Sequence, residues 1–149
     1  MANQKFLLER SLTYRLHTLT KLTDRVTQQA YLDSAEIGFS EGRCLAAIGA
    51  FSPLSINDLA KRANLDKGQA SRATQLLVTQ GWVSKVISPT DRRGVVLTLT
   101  PEGKKRWQRL AEVIQQRNQA ITECLTSSER EMLNKLVDRL LQHAEAHSA

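Results

Sequence analysis

Residues 55–101 read SINDLAKRANLDKGQASRATQLLVTQGWVSKVISPTDRRGVVLTLTP, and this stretch decides the fold. Ser55, with Asp58 three residues later, is an imperfect capping box with Asp where Glu is usual. It opens a short helix whose inner face is Ile56, Leu59, Ala60 and Ala63. Asn64-Leu65-Asp66 turns the chain, with Leu65 plugging the angle between two helices. Asp66 caps the second helix, predicted over residues 67–80, with Ala70, Ala73, Thr74 and Leu77 on one face and Gly81 as its stop. Residues 82–87 and 95–100 read as two strands, joined by the turn-rich run Ser-Pro-Thr-Asp-Arg-Arg-Gly at 88–94. Thr100 and Pro101 then supply an N-cap and a first helical residue. Two short helices followed by a hairpin are the layout of a winged helix-turn-helix.

Outward from this stretch the chain is helical. Residues 5–32 contain no Pro or Gly, and Leu8, Leu12, Leu16, Leu19, Val26 and Ala30 recur along one face of a long helix. The run 34–38 interrupts it. A short helix is predicted over 41–50 behind Ser40, with Leu45 and Ile48 inward, and Ser52-Pro53 ends it. On the far side, Trp107, Leu110, Ala111, Ile114, Ile121 and Leu125 mark a helix from Pro101 to about 125. A last helix starts near Ser128, with Leu133, Leu136, Val137, Leu140, Leu141 and Ala144 on its apolar face. The terminal helices are longer and more heptad-like than a monomer of 149 residues needs, which predicts pairing with a second copy. The expected fold is mainly α with a small β-hairpin wing (α+β). It forms a single unit over 1–149, with a winged helix-turn-helix at 40–100 flanked by dimerisation helices at 5–32 and 101–146.

Charge singles out the same stretch. Residues 55–105 hold nine Lys+Arg against four Asp+Glu, so they carry +5 of the net +6, while the flanks are nearly balanced. A local excess of this kind is the electrostatic footprint expected for DNA. The N-terminus has no apolar core long enough for a signal peptide, and no run approaches the length of a membrane span. The expectation is a cytoplasmic protein that does not enter membranes. Cys44 and Cys124 fit no metal spacing; in a reducing compartment they read as small core residues, with an oxidation sensor as the sharper alternative.

In a helix-turn-helix the second helix enters the major groove. Its outward positions here are Lys67, Gln69, Ser71, Arg72 and Gln75. Gln can pair bidentately with adenine and Arg with guanine, while Lys67 and Ser71 suit phosphate as well. Lys67 and Gly68 sit where free N–H groups of a helix N-terminus favour an anion. At the hairpin tip, Arg92 and Arg93 can reach the narrow minor groove. Asp91 is expected to hold one arginine by an ion pair and aim it, with Arg93 as the inserted one.

The chain resembles the MarR family of bacterial transcription regulators. The resemblance rests on Asp66, Lys67, Ser71 and Arg72 in the second helix, Gly81-Trp82 at its end, Asp91 and Arg93 in the wing, and Leu99, Thr100 and Gly103 opening the next helix. Trp82 departs from the family pattern, where an aliphatic residue is usual. The resemblance covers nearly the whole chain. It implies a homodimer on double-stranded DNA at a pseudo-palindromic site, usually as a repressor. It also implies release by a small phenolic or aromatic carboxylate effector bound between the dimerisation helices and the winged region. No cofactor is implied.

An anionic aromatic ligand needs a cation among apolar walls. Arg15 is the first candidate, beside the Leu12-Leu16-Leu19 seam, with Ser11, His17 and Tyr14 near it and Arg43 and Ala47 of the second helix as the opposite wall. A surface ion pair is the other reading of Arg15, and an exposed or interface histidine the other reading of His17. Two further functions compete: a cysteine-based oxidation-responsive regulator and a protein-interaction module that does not bind DNA. An enzyme is disfavoured. His17, His143 and His147 are scattered, and no nucleophile–base pair, metal spacing or Gly-rich phosphate loop occurs.

Overall fold

The computed structural model describes residues 4–88, 90 and 94–148. Two compact units divide the chain, Met1–Ile114 and Gln115–Ala149.

In the first unit a short 3₁₀ turn, Leu8–Arg10, precedes α1, Leu12–Ala35. The single helix expected over 5–32 is therefore broken at Ser11 and extended at its far end. The break has a local cause: Ser11 donates both its N–H and its hydroxyl to the Leu8 carbonyl, at 3.0 and 2.8 Å, which closes the 3₁₀ turn and leaves Ser11 extended. Only Tyr31 and Ala35 of α1 are buried. Leu12, Leu16, Leu19 and Val26 are all about half exposed or more (51–58%), so the apolar seam read from the sequence is left largely uncovered among the described residues.

Helix α2 (Phe39–Phe51) begins two residues earlier than expected, with Gly38 rather than Ser40 at its N-cap. Phe39 meets Tyr31 edge-on at 5.6 Å between ring centroids, which draws the helix start toward α1. Cys44, Leu45, Ala47 and Ile48 enter the core. Helices α3 (Ile56–Arg62) and α4 (Lys67–Thr79) follow, then β1 (Val83–Ile87) and β2 (Val95–Leu99), paired antiparallel from Val83↔Leu99 to Ile87↔Val95. Leu54 adds a bridge on the outer edge of β2, exchanging both backbone hydrogen bonds with Leu97 at 2.8 and 3.3 Å. Leu59, Ala63, Ala70, Ala73, Leu77, Val83, Leu97 and Leu110 close the core between these elements.

Helix α5 spans Pro101–Thr122. The second unit contains α6, Ser127–Ala146, capped by Thr126 and Glu129 in a reciprocal capping box. No residue of α6 is buried, and Leu136, Val137, Leu140 and Leu141 are 41–55% exposed. Among the described residues no helix is long and apolar enough to cross a membrane.

Candidate nucleic-acid interface

The geometry of the second short helix follows from its two ends. Ser55 accepts from the Asp58 N–H at 3.1 Å and starts α3. Asn64 turns the chain at φ +54°, in the left-handed region that Asn tolerates better than most residues. The Leu65 N–H then donates to the Ala60 carbonyl at 3.0 Å, and Leu65 packs half-buried against the core. Asp66 caps α4: its carboxylate accepts from the Gln69 N–H at 2.8 Å, and its own N–H donates to Gln69 Oε1 at 3.3 Å. With Ala70, Ala73, Thr74 and Leu77 buried, the 3.6-residue period turns Lys67, Gln69, Ser71, Arg72 and Gln75 outward, and all five are exposed. Lys67, Ser71 and Gln75 rise along one edge at four-residue spacing. Arg72 lies back along Gly68, its Nη1 only 3.3 Å from where a Cβ on that residue would stand, so the bare glycine gives the guanidinium room beside the first turn.

Sequence reading missed one feature of this helix. Gln69 was assigned to base contact, but its carbonyl oxygen is also half of the capping box that starts α4. The signal was available, since a Gln three residues after a capping Asp is the side chain that reaches back.

Beyond α4 the wing root is tightly fixed. Gly81 stops the helix at φ +79°, and the Trp82 N–H donates to the Leu77 carbonyl at 3.0 Å. The Thr100 hydroxyl donates to the Gly81 carbonyl at 2.6 Å and accepts from the Gly103 N–H at 3.0 Å. Gly103 packs so closely on the Trp82 carbonyl that a Cβ there would collide with it. The Trp82 ring, where an aliphatic residue is usual in the resembled family, lies under the Arg106 guanidinium at 4.4 Å, and Arg106 also pairs with Glu36 at 3.6 Å. The outer half of β1 leaves the core: Lys85, Val86 and Ile87 are exposed. Ser88 donates to the Gly94 carbonyl at 2.9 Å. Asp91, Arg92 and Arg93, read as the wing tip, lie outside the described residues.

One other arginine of the middle third has a specific partner. Arg62 at the end of α3 covers the Phe51 ring at 4.3 Å. No periodicity foretells that contact, because Phe51 ends a different helix.

The effector residues are not brought together as expected. Arg15 lines an open groove of about 470 Å³ on α1 with Leu12, Tyr14, Leu16 and Leu19. His17 is exposed, and two residues of helix turn it about 200° from Arg15, nearly to the opposite side. The Ser11 hydroxyl is spent on the Leu8 carbonyl. The opposite wall expected from α2 is absent from this groove: Ala47 is buried in the core, and Arg43 covers Phe39 at 4.6 Å while approaching Asp24 at 4.0 Å. Asp24 lies nine residues past Arg15, roughly 13 Å along the helix.

The cysteines differ sharply. Cys44 is wholly buried, and burial, with the nearby Glu41 charge adding to it, pushes its thiol up to about 12. Such a thiol stays protonated and unreactive at neutral pH. Cys124 is exposed. Among the described residues no group of three or more His, Cys, Asp or Glu is placed to hold a metal.

These features match known proteins. A family model described as MarR family matches residues 36–94. The multiple antibiotic resistance protein MarR of Escherichia coli is 28% identical over 127 residues, covering 85% of this chain and 88% of MarR. A solved structure of a variant E. coli MarR complexed with operator DNA superposes with a TM-score of 0.76 at 26% identity, over 92% of this chain and 99% of that one. BpsR of Bordetella bronchiseptica, whose DNA binding is described as regulated by 6-hydroxynicotinic acid, superposes with a TM-score of 0.80 at 20% identity, over 91% and 96% of the two chains. With the helix-turn-helix, the hairpin and the likeness to E. coli MarR in agreement, residues 36–94 form a MarR-family winged helix-turn-helix, and the chain is similar over most of its length to DNA-binding transcriptional regulators.

Proposed function

We propose that the chain is a homodimeric repressor that reads a pseudo-palindromic operator and leaves it on binding a small aromatic carboxylate. The observation that carries the DNA side of this reading is the division of α4 into a buried apolar face and an exposed face of Lys67, Gln69, Ser71, Arg72 and Gln75. In this reading residues 40–100 form the DNA-binding region. Arg72 and Gln75 are the base readers, because Gln69 is partly committed to the cap, while Lys67 and Ser71 hold phosphate. Arg92 and Arg93 enter the minor groove, with Asp91 positioning one of them.

The uncovered seams of α1 and α6 support the dimer, with 5–32 and 101–146 as its helices. Exposed apolar runs of this length are found where a partner covers them. The effector half rests on Arg15 among Leu12, Leu16, Leu19 and Tyr14. Ser11 and His17 remain proposed contacts only through a second copy, because on the same α1 His17 faces nearly the opposite side from Arg15 and the Ser11 hydroxyl is bonded to Leu8. The 6-hydroxynicotinic acid that regulates BpsR is an aromatic acid of the kind such a site would take.

Fluorescence anisotropy on DNA flanking the protein's own gene tests both halves. Arg72→Ala should weaken binding by about 1–3 kcal/mol and relax discrimination at one base pair. Arg15→Ala should blunt release by aromatic acids and leave DNA affinity nearly unchanged. Equal loss of affinity and of effector response in Arg15→Ala would sink the effector site, and salt-independent DNA binding would sink the phosphate contacts.

A further inference from the structure

We infer that His143 and His147, at the end of α6, form a bidentate site for a divalent transition-metal ion of the Cu²⁺, Ni²⁺ or Zn²⁺ class. His143 lies in the last turn of α6 and His147 is the C-cap residue that follows it, so the two imidazoles meet at the end of the helix. Their ring centroids lie 4.3 Å apart with the planes tilted by 40°. His147 Nδ1 is 2.8 Å from the His143 carbonyl oxygen. A carbonyl oxygen only accepts, so Nδ1 carries the hydrogen, and in the neutral ring the lone pair sits on Nε2. A ring N–H held by a backbone carbonyl is the support that orients metal-ligating histidines and raises their basicity. The helix thus supplies the second ring with both a position and a tautomer.

Both histidines are exposed, so an ion reaches them without desolvating a cavity. No third His, Cys, Asp or Glu joins them among the described residues. The site therefore provides two nitrogen ligands, and water fills the remaining positions. Imidazole pairs select borderline ions in the order Cu²⁺ above Ni²⁺ and Zn²⁺, and they exclude Mg²⁺ and Ca²⁺, which require oxygen donors. The binding claim needs one chain alone and stands apart from the operator and effector readings above.

The test is a titration of the untagged full-length protein with NiCl₂ and, separately, ZnCl₂, read by calorimetry. The resonances of the three histidine rings are followed by NMR during the nickel titration. The expected result is one ion per chain, with broadening of the His143 and His147 signals before that of His17. Separate His143→Asn and His147→Asn variants, checked for unchanged helix content, should each lose at least about ten-fold in affinity, the lower end of what a metal site loses when a supporting hydrogen bond is removed. His17→Asn should bind like the parent, and MgCl₂ should give no heat. Parallel broadening of all three rings, or parental affinity in either α6 variant, would overturn the site.

Discussion

Thr74 sits on the buried face of α4 with 1% of its surface exposed, and among the described residues its hydroxyl has no hydrogen-bond partner. A buried hydroxyl without a partner costs about 1–3 kcal/mol relative to one that water still solvates. Valine has the same branched shape with a methyl in place of the hydroxyl, and Thr and Val have similar helix propensities. Thr74→Val therefore removes the desolvation penalty and introduces no cavity. It should stabilise the protein by about 1–2 kcal/mol, or roughly 2–4 °C in Tm per kcal/mol for a chain of this size. Thr74→Ser keeps the hydroxyl and loses a methyl, so it should destabilise by about 1 kcal/mol. Urea unfolding followed by circular dichroism measures both, at one fixed chain concentration because association is linked to folding. The m-value should not change, and DNA affinity should not change either, because the substituted atom faces away from the exposed side of α4. A less stable Thr74→Val at constant m would show that the hydroxyl finds a partner and would refute the reasoning.

Further outcomes follow from other residues. A chromogenic disulfide reagent should modify one thiol quickly in the native protein, Cys124, and reach Cys44 only on unfolding; two fast thiols would contradict the burial that lifts Cys44 to about 12. Gly81→Ala meets no atom within 4 Å, so its cost is that of the backbone at φ +79° alone, about 1–2 kcal/mol by urea unfolding; a neutral substitution would place Gly81 in another conformation. The hydrogen bond from the Thr126 backbone, then that from its side chain, hold the Glu129 carboxyl below the usual carboxylate range. A depressed folded value means the cap on α6 contributes above the ordinary Glu range and is lost as pH falls through the depressed value. Helix content lost on acidification should therefore be smaller in Glu129→Gln, which keeps an oxygen acceptor that does not titrate; identical acid profiles would remove Glu129 from the cap.

The parts of this fold that were legible in the sequence are those fixed by local rules. The inward face of α4, the cap at Asp66 and the stop at Gly81 are each set by residues within a turn of one another, and the structure has them all. The Leu54 bridge was not legible. It consists of one residue between Pro53 and Ser55, and its two hydrogen bonds go to Leu97, more than forty residues away. The break at Ser11 was hidden for a different reason: the apolar spacing of Leu8, Leu12 and Leu16 continues straight through it, while a hydroxyl-to-carbonyl bond ends the turn. The same holds at the site. The outward residues of α4 follow from its period, whereas the surroundings of Arg15 depend on which element faces α1, and its helical spacing carries no information about that.

The Thr100 hydroxyl joins the end of α4 to the start of α5 through one oxygen atom. The chain from Gly81 to Gly103 is thereby a closed bracket, with both ends clamped and Ser88 and Gly94 bonded further out. Residues added or removed between Ser88 and Gly94 would leave the strand pairing beneath them in register. The hairpin can then be lengthened or shortened as a replaceable tip, and α4 redesigned as a separate reading head, without either change altering the mounting of the other. Such a mounting leaves the exposed surface of α4 and the length of the hairpin as two independent variables.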